Sequence, residues 1–188
     1  MELHRMEEEA WRGYELDFRY TSAFYYDVRV EAAEGRFTFS AVKTPFETPV
    51  EKSFRDGLFQ PWWQGSAAYG FFEDGAAAPV AVIETWAEEW SNRLRVTELW
   101  VAEGYRRMGL GRRLMEKAKE QAVYEKRRAV ILETQSCNAP AIAFYLAQGF
   151  ELIGFDKCCY SNDDAARKEV RLELGWFTPA GAEGEAGR

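Results

Sequence analysis

The sequence predicts a mixed α/β fold in which a mostly antiparallel sheet carries flanking helices. Apolar residues alternate with polar ones through most of the first hundred residues, and they recur at helical spacing in two segments after Val101. With 47% hydrophobic and 29% charged residues, the 188-residue chain has enough apolar content for one folded core. We therefore expect a single domain over residues 1–177 and a disordered tail over residues 178–188, where apolar content falls away.

The N-terminal half is typical of antiparallel strands. Apolar residues alternate over residues 14–20 and 24–30, and again at Phe37 and Phe39 after the turn residues Glu34 and Gly35. Val50, Phe54 and Leu58 recur at every fourth position, which predicts a short helix. Three more strands are predicted, at residues 67–72, 79–86 and 93–101.

The C-terminal half predicts two helices between strands. Apolar residues from Leu110 to Ala122 mark one face of a helix. A second helix spans residues 139–148, with Asn138 as its N-cap and Gly149 at its end. Strands are predicted at 129–134, 150–160 and 169–177, so the order after the meander is β-α-β-α-β-β and the sheet is mixed.

The charge and the hydropathy of the sequence argue against nucleic-acid and membrane partners. A formal net charge of −7 argues against a general nucleic-acid binder and favours a cationic small molecule. The first ten residues are rich in acids, and no later stretch approaches the roughly 18 apolar residues of a membrane span. We expect a cytoplasmic protein without membrane contact, as a monomer or homodimer.

Cysteine and histidine usage narrows the chemistry further. Cys137, Cys158 and Cys159 have no metal-ligand spacing and are predicted to be reduced thiols. His4 is the only histidine, which argues against a histidine-based zinc site or a Ser-His-Asp triad. We expect no metal.

The segment from Val101 to Arg112 has the features of an anion-binding loop. It joins a strand to a helix, and the first N–H groups of a helix have no internal partners and lie at the positive end of its dipole. Gly109 and Gly111 allow a ligand close to the backbone, and Arg106, Arg107 and Arg112 add positive charge. A pocket for a diphosphate fits this pattern; the alternative is a glycine-eased turn with a solvated basic rim.

Two motifs resemble a known family. Arg106-x-x-Gly109-x-Gly111 resembles the acyl-CoA pyrophosphate loop of the GNAT superfamily of N-acetyltransferases, and the stretch from Asn138 through Tyr145 to Gly149-Phe150 resembles its fourth-helix signature. The resemblance covers roughly residues 83–176. Residues 132–135 and 154–156, with Tyr160, are similar to streptothricin acetyltransferases.

The resemblance implies a V-shaped acetyl-CoA cleft and roles for matched positions. The backbone of Leu99 and Val101 would pair with the pantetheine arm, Asn138 would hydrogen-bond that arm, and Tyr145 would lie near the thioester sulfur. The pyrophosphate would be held by the loop, whose residues are Arg106, Arg107, Met108, Gly109, Leu110, Gly111 and Arg112. Residues 14–42 depart from the family pattern, because they read as extended where the superfamily usually has two helices.

Acetyl transfer requires proton transfers that a few residues can perform. An alkylamine with a pKa of about 10.4 is protonated at neutral pH, so a base must remove its proton. Glu98 and Glu84 are candidate bases on the strands before the loop; the alternative is a structural carboxylate paired with an arginine such as Arg93 or Arg95. Tyr145 is a candidate acid for the departing thiolate, and the alternative for it is core packing.

The acceptor contacts are predicted at Glu84, Trp86 and Glu88, because carboxylates and aromatic faces together attract ammonium groups. Trp62 and Trp63 would form a lid. The alternative is a solvated acidic bend with ordinary core indoles.

These observations predict an N-acetyltransferase that moves an acetyl group from acetyl-CoA directly to a primary amine of a cationic small molecule. A streptothricin-like antibiotic or a related amine is the candidate acceptor. Two alternatives stay open: a protein lysine or N-terminal acetyltransferase, and a non-catalytic acyl-CoA-binding sensor.

Overall fold

The computed structural model describes residues 1–179. Strands account for most of the regular structure, and helices occur mainly in the C-terminal half. The strands are β1 Glu2–Met6, β2 Glu15–Ala33, β3 Arg36–Gly57, β4 Ala67–Phe72, β5 Pro79–Glu88, β6 Arg93–Val101, β7 Ala129–Gln135, β8 Glu151–Asp156 and β9 Arg171–Phe177. The helices are α1 Glu8–Trp11, α2 Leu110–Tyr124, α3 Ala139–Ala147 and α4 Asp164–Arg167.

The strands form a seven-stranded sheet and a separate hairpin. The sheet order is β1-β4-β5-β6-β7-β9-β8, and β2 pairs with β3. Neighbouring strands are antiparallel in the pairs β1/β4, β4/β5, β5/β6 and β8/β9, whereas β6 and β7 run parallel. The mixed, mostly antiparallel fold class is thereby confirmed.

The chain divides into two compact units. Within the described residues, the first comprises residues 1–18, 55–132 and 176–179, and the second comprises residues 19–54 and 133–175. In the first unit, α2 buries the apolar face that the sequence predicted: Leu110, Leu114, Met115, Ala118 and Ala122. A further cluster packs Met6, Leu16, Leu58, Phe59, Ala68 and Val82.

The second unit contains most of the β2-β3 hairpin together with α3, β8 and α4. The hairpin turns at Glu34 and Gly35, where Gly35 has a left-handed φ of 69°. Phe39 of β3 stacks on Phe155 of β8 with ring centroids 4.4 Å apart. The extended conformation predicted for residues 14–42 is therefore correct, as two long strands in place of several short ones.

The helix predicted over Val50 to Leu58 is wrong. Residues up to Gly57 continue β3 as strand. A spacing of four residues is a multiple of the two-residue period of a strand, so Val50 and Phe54 lie on one face of either element. The sequence pattern could not separate the two, and pairing with β2 decided in favour of the strand.

The chain ends differ from the prediction in detail. The sequence analysis found no element before Tyr14, but β1 pairs with β4 from Glu2 opposite Phe72 to Met6 opposite Ala68. At the other end, the Thr178 N–H donates to the Arg128 carbonyl and its hydroxyl to the Arg127 carbonyl, at 3.1 and 2.6 Å. The rest of the predicted tail, residues 180–188, lies outside the described residues.

Candidate active site

The loop between β6 and α2 has a backbone shaped to expose N–H groups. Arg107 and Gly109 both adopt left-handed conformations, with φ of 64° and 82°. A positive φ at a non-glycine residue is uncommon, and such strained residues concentrate at ligand sites. Gly109 is the N-cap of the 15-residue α2, and the first helical hydrogen bond runs from Arg113 N–H to the Gly109 carbonyl. The N–H groups of the first helical residues, Leu110 to Arg112, thus have no intrahelical acceptor and are oriented for another one.

The side chains of this loop are consistent with an anionic ligand. Arg106, Arg107 and Arg112 are exposed, and the first turn of α2 carries no acidic residue. Met108 is 58% exposed, whereas Leu110 is 4% exposed and so can offer a ligand only its backbone. The loop therefore combines exposed positive charge with unpaired backbone donors, which suits a phosphate group.

The register of β6 determines which of its backbone groups face away from β5. The Ala102 N–H donates to the Val80 carbonyl at 2.9 Å, and Ala81 lies opposite Val101. Opposed residues in antiparallel strands alternate between hydrogen-bonded and non-hydrogen-bonded pairs. The backbone groups of Leu99 and Val101 therefore point away from β5.

The pairing of β6 with β7 involves the N-terminal part of β6. The register of β6 with β7 runs only from Arg93 opposite Ala129 to Arg95 opposite Ile131. The Arg106 Nε atom donates to the Val101 carbonyl at 3.2 Å and so ties the loop to the end of β6. The predicted backbone positions thus have the orientation that an added extended chain would need.

Glu84 on β5 is a fully buried carboxylate with three hydrogen bonds. Its Oε1 accepts from the Phe59 N–H at 2.7 Å and from the Ser66 hydroxyl at 2.9 Å, and its Oε2 accepts from the Thr97 hydroxyl at 2.7 Å. These contacts favour a structural carboxylate over a base or an acceptor contact. The partners were missed by the sequence analysis, because a backbone donor such as Phe59 leaves no signal in the sequence.

Glu98 lies opposite Glu84 in the register of β5 and β6. Between this pair and the next, Thr85 opposite Val96, the register shifts by one residue, so that Thr97 is the extra residue of a β-bulge. Glu98 is 9% exposed and directly precedes Leu99. A carboxylate next to the exposed backbone of β6 is well placed in the sequence to serve as a base.

Asn138 and Tyr145 belong to the second unit. The Asn138 Oδ1 accepts from the Ala141 N–H at 3.2 Å and caps α3, as the sequence predicted. Tyr145 is half-buried on α3 and has ring contacts with Phe144 and Phe150 at 5.4 and 6.1 Å.

Glu88 does not face an acceptor as predicted. It is 4% exposed, forms ion pairs with Arg93 and Arg95, and accepts a hydrogen bond from the Ser91 hydroxyl. Although burial opposes the shift, these hydrogen bonds and charges hold the pKa of Glu88 below its ordinary value. Glu88 is therefore a structural carboxylate paired with arginines, which is the alternative stated above for Glu84 and Glu98.

Replacing Glu88 with Gln should destabilise the fold. The variant would remove a negative charge that pairs with Arg93 and Arg95 in a mostly buried site, which should lower the free energy of unfolding by about 3 kcal/mol. Because its folded-state pKa is lowered, Glu88 stabilises the parent above the ordinary carboxyl pKa and loses that contribution as pH falls through the lowered value. Urea unfolding should therefore show the gap between parent and variant narrowing in acid.

Glu89→Gln is the matched control for this prediction. The Glu89 carboxylate binds Arg127 at 2.7 and 2.8 Å, but its side chain is 75% exposed, so its loss should matter far less. Equal destabilisation by the two substitutions would contradict the structural role assigned to Glu88.

Trp86 lies in an aromatic group next to Glu84. Its ring centroid is 5.2 Å from that of Trp63, and its Nε1 donates to the Gln64 carbonyl at 3.1 Å. Trp62 in the same loop is 65% exposed. The structure thus places Trp63 beside Trp86, Trp62 has an exposed ring, and the lid stays a prediction.

The thiols are free, as predicted. Cys137 is buried and lies 3.3 Å from the Tyr20 hydroxyl, and burial is the main cause that raises its pKa. Hydrogen bonding to Asp156 and burial raise the pKa values of Cys158 and Cys159, respectively. A raised pKa makes a thiol a poor nucleophile. His4, on β1, is exposed, with Phe72 beside its ring.

None of the helices within residues 1–179 is long and apolar enough to cross a membrane.

Comparison with known proteins places the chain in a family. Residues 35–150 match the acetyltransferase (GNAT) family. A streptothricin acetyltransferase of Streptomyces lavendulae is 29% identical over 164 residues, which cover 82% of each chain. A streptothricin acetyltransferase of Escherichia coli is 31% identical over 117 residues, covering 62% of this chain and 66% of that one.

A solved structure agrees with the fold. The crystal structure of nourseothricin acetyltransferase superposes with a TM-score of 0.74 and 26% sequence identity, covering 95% of this chain and 98% of that one. The family match and the curated relatives identify the protein as an acetyl-CoA-dependent acetyltransferase. The chain belongs to the GNAT family of acetyltransferases.

Proposed function

We propose that this enzyme transfers the acetyl group of acetyl-CoA directly to a primary amine of a cationic small molecule, with streptothricin-type antibiotics as the acceptor class. The observation that carries the proposal is the similarity to streptothricin acetyltransferases along most of the chain. The net charge of −7 agrees with a cationic acceptor.

The first unit contains the groups proposed to bind the cosubstrate. The N–H groups from Arg107 to Arg112 hold the pyrophosphate, with Arg106 adding charge at the rim. The backbone of Leu99 and Val101 pairs with the pantetheine arm as an added strand would. The support is the orientation of these groups away from β5, together with the left-handed residues of the loop.

Two residues of the second unit have proposed roles that come from the family resemblance. The side-chain amide of Asn138 hydrogen-bonds the pantetheine arm; because its Oδ1 caps α3, the NH2 group is the donor used. The Tyr145 hydroxyl donates a hydrogen bond or proton to the sulfur as the thiolate leaves, since a phenol with a pKa of about 10 can serve as donor to a thiolate whose thiol has a pKa of about 8.5.

Glu98 is the proposed base, acting directly or through a water. It removes a proton from the ammonium group, so that the nitrogen lone pair can attack the thioester carbonyl. The new C–N bond forms as the C–S bond breaks, the attacking nitrogen gives up a second proton to become the amide, and the CoA thiolate takes up one proton from Tyr145, which is reprotonated from solvent. Glu84 is a weaker candidate for this role because both of its oxygens already accept hydrogen bonds.

Transfer proceeds in a ternary complex, without an acetylated enzyme. The raised pKa values of the three thiols and the exposed position of the single histidine support this order of events. Trp86 and the exposed ring of Trp62 contribute aromatic surface for the cationic acceptor. The predictions of a cytoplasmic location, of a monomer or homodimer and of no nucleic-acid partner stay predictions.

Glu98→Gln should lower turnover without changing acetyl-CoA affinity. Loss of a general base costs about 100-fold or more at neutral pH. The deficit should shrink as pH approaches the amine pKa of about 10, because the amine then loses its proton unaided. Glu120→Gln, at an exposed position on α2, is the control. A deficit that does not vary with pH would argue against Glu98 as the base.

The acceptor class is tested by measuring thiol release with a panel of amines. Streptothricin and other polycationic amines should give a kcat/KM at least about tenfold above that of simple monoamines, with KM rising at high salt. Peptides with a free N-terminus or a lysine serve as competitors. Preferential acetylation of a peptide would replace the small-molecule acceptor with a protein.

A further inference from the structure

Glu84 connects three segments of the first unit through one carboxylate. Phe59 and Ser66 lie at the two ends of the loop between β3 and β4, and Thr97 is the extra residue of the β6 bulge. All three donors are neutral, and the carboxylate is fully buried. Burying a carboxylate costs free energy unless hydrogen bonds compensate for it. Because the loss of a donor would leave the carboxylate unsatisfied, the network fixes the positions of the three donors relative to Glu84.

The bulge has a direct consequence for the backbone of β6. An extra residue in one strand shifts the pairing by one position, and a shift by one exchanges the residues whose groups face the partner strand. With the bulge, Leu99 and Val101 direct their N–H and C=O groups away from β5. Without it, the neighbouring positions would do so, and β6 would present a different set of donors and acceptors.

We infer that Glu84 is a positioning residue that fixes the β6 bulge through the Thr97 hydroxyl and thereby sets which backbone groups β6 offers to the pantetheine arm of acetyl-CoA. The inference rests on the proposed binding of that arm at Leu99 and Val101. The same carboxylate holds the left-handed Phe59, with φ of 55°, at the start of the loop that carries Trp62 and Trp63. One buried group thus orders both the cosubstrate strand and the tryptophan loop.

Thr97→Val tests the inference most directly. Val has the shape of Thr but cannot donate to Glu84, so the bulge loses its anchor, although Thr97 itself is not proposed to touch the ligand. Calorimetry should show the Kd for acetyl-CoA rising at least tenfold. Thr97→Ser restores the hydroxyl and should recover affinity to within about threefold of the parent.

Thr85→Val is the matched control. Thr85 is 1% exposed and flanks the bulge opposite Val96, but its hydroxyl bonds the Ala67 carbonyl and the Gln121 side chain rather than Glu84 or Thr97. Its loss should lower Tm in the manner of Thr97→Val but leave the Kd for acetyl-CoA within about twofold of the parent. If Thr97→Val acted only through a general loss of stability, both variants would show the same change in the Kd for acetyl-CoA.

Glu84→Gln separates positioning from proton transfer. The Gln carbonyl can accept from Phe59 and Ser66, and the Thr97 hydroxyl can accept from the Gln amide, so the network can be kept. We expect the pH dependence of kcat/KM to retain the parent's shape. Loss of its acidic limb would assign Glu84 as the base and overturn the inference.

The outcomes distinguish the inference from the proposed function. Parent-like acetyl-CoA affinity in Thr97→Val overturns the inference alone, even if the parent acetylates streptothricin. A parent protein that binds no acetyl-CoA overturns both. If the parent binds acetyl-CoA but acetylates none of the amines, the Kd values of the parent and the variants can still be compared. Those values then still test the positioning role of Glu84.

Discussion

Gly109→Val should raise the Kd for acetyl-CoA by at least about 100-fold, which corresponds to roughly 2.7 kcal/mol. Gly109 has φ of 82° and begins α2. An L-residue in this region costs about 1–2 kcal/mol, and a β-branched one more. The backbone would relax toward negative φ, and the N–H groups proposed to hold the pyrophosphate would turn out of position. Calorimetric titration with acetyl-CoA measures the effect.

Gly35→Val controls for strain alone. Gly35 is also left-handed, with φ of 69°, and a Cβ at either glycine would meet no heavy atom within 4 Å. The two substitutions therefore differ in place and not in local geometry. Gly35→Val should leave acetyl-CoA affinity within about twofold. If Gly109→Val bound acetyl-CoA as tightly as the parent does, the loop would not be the pyrophosphate site.

Arg106→Ala should weaken acetyl-CoA binding less than Gly109→Val does. An exposed arginine adds screened charge, whereas the backbone donors make direct, fixed contacts. We expect Arg106→Ala to weaken binding by about tenfold or less, although the loss of its bond to the Val101 carbonyl adds to the effect of charge. High salt should shrink the difference between Arg106→Ala and the parent.

Tyr145→Phe should lower kcat by about 100-fold while leaving the Kd for acetyl-CoA nearly unchanged. The substitution removes only the hydroxyl and keeps the ring that packs near Phe144 and Phe150. In the proposed mechanism the loop binds acetyl-CoA without that hydroxyl, whereas departure of the thiolate requires it. Single-turnover measurements under saturating acetyl-CoA and acceptor report the chemical step.

Tyr124→Phe is the control for Tyr145→Phe, since Tyr124 is 88% exposed at the end of α2. It should behave as the parent in both binding and turnover. An unchanged chemical rate in Tyr145→Phe would make Tyr145 a packing residue and leave the thiolate to be protonated by solvent.

Local patterns predicted the parts of the fold that local chemistry determines. The apolar face of α2, the Asn138 cap of α3 and the Gly35 turn follow from spacing and conformational preference within one segment. The strand at residues 50–57 could not be predicted because its apolar spacing suits helix and strand equally. Strand β1 was missed because its pairing with β4 is a long-range contact.

The same division applies to the candidate site. The loop between β6 and α2 is a contiguous motif, so the sequence alone could propose it as the pyrophosphate site, and that assignment stays a prediction. Whether each carboxylate is structural could not be predicted, because that depends on partners from other elements. Glu84 depends on Phe59 and Thr97, and Glu88 depends on Arg93 and Arg95. A buried carboxylate and a solvent-facing one look identical in the sequence, and only their hydrogen bonds distinguish them.

The most direct test of acetyl transfer to an antibiotic amine is product analysis by mass spectrometry. Incubation of the enzyme with acetyl-CoA and streptothricin should yield monoacetylated streptothricin, with one CoA thiol released for each acetyl group transferred. The acetyl group should resist hydroxylamine, as an amide does and an ester does not. Thiol release without acetylated product, or an acetyl group that hydroxylamine removes, would contradict N-acetylation of this acceptor.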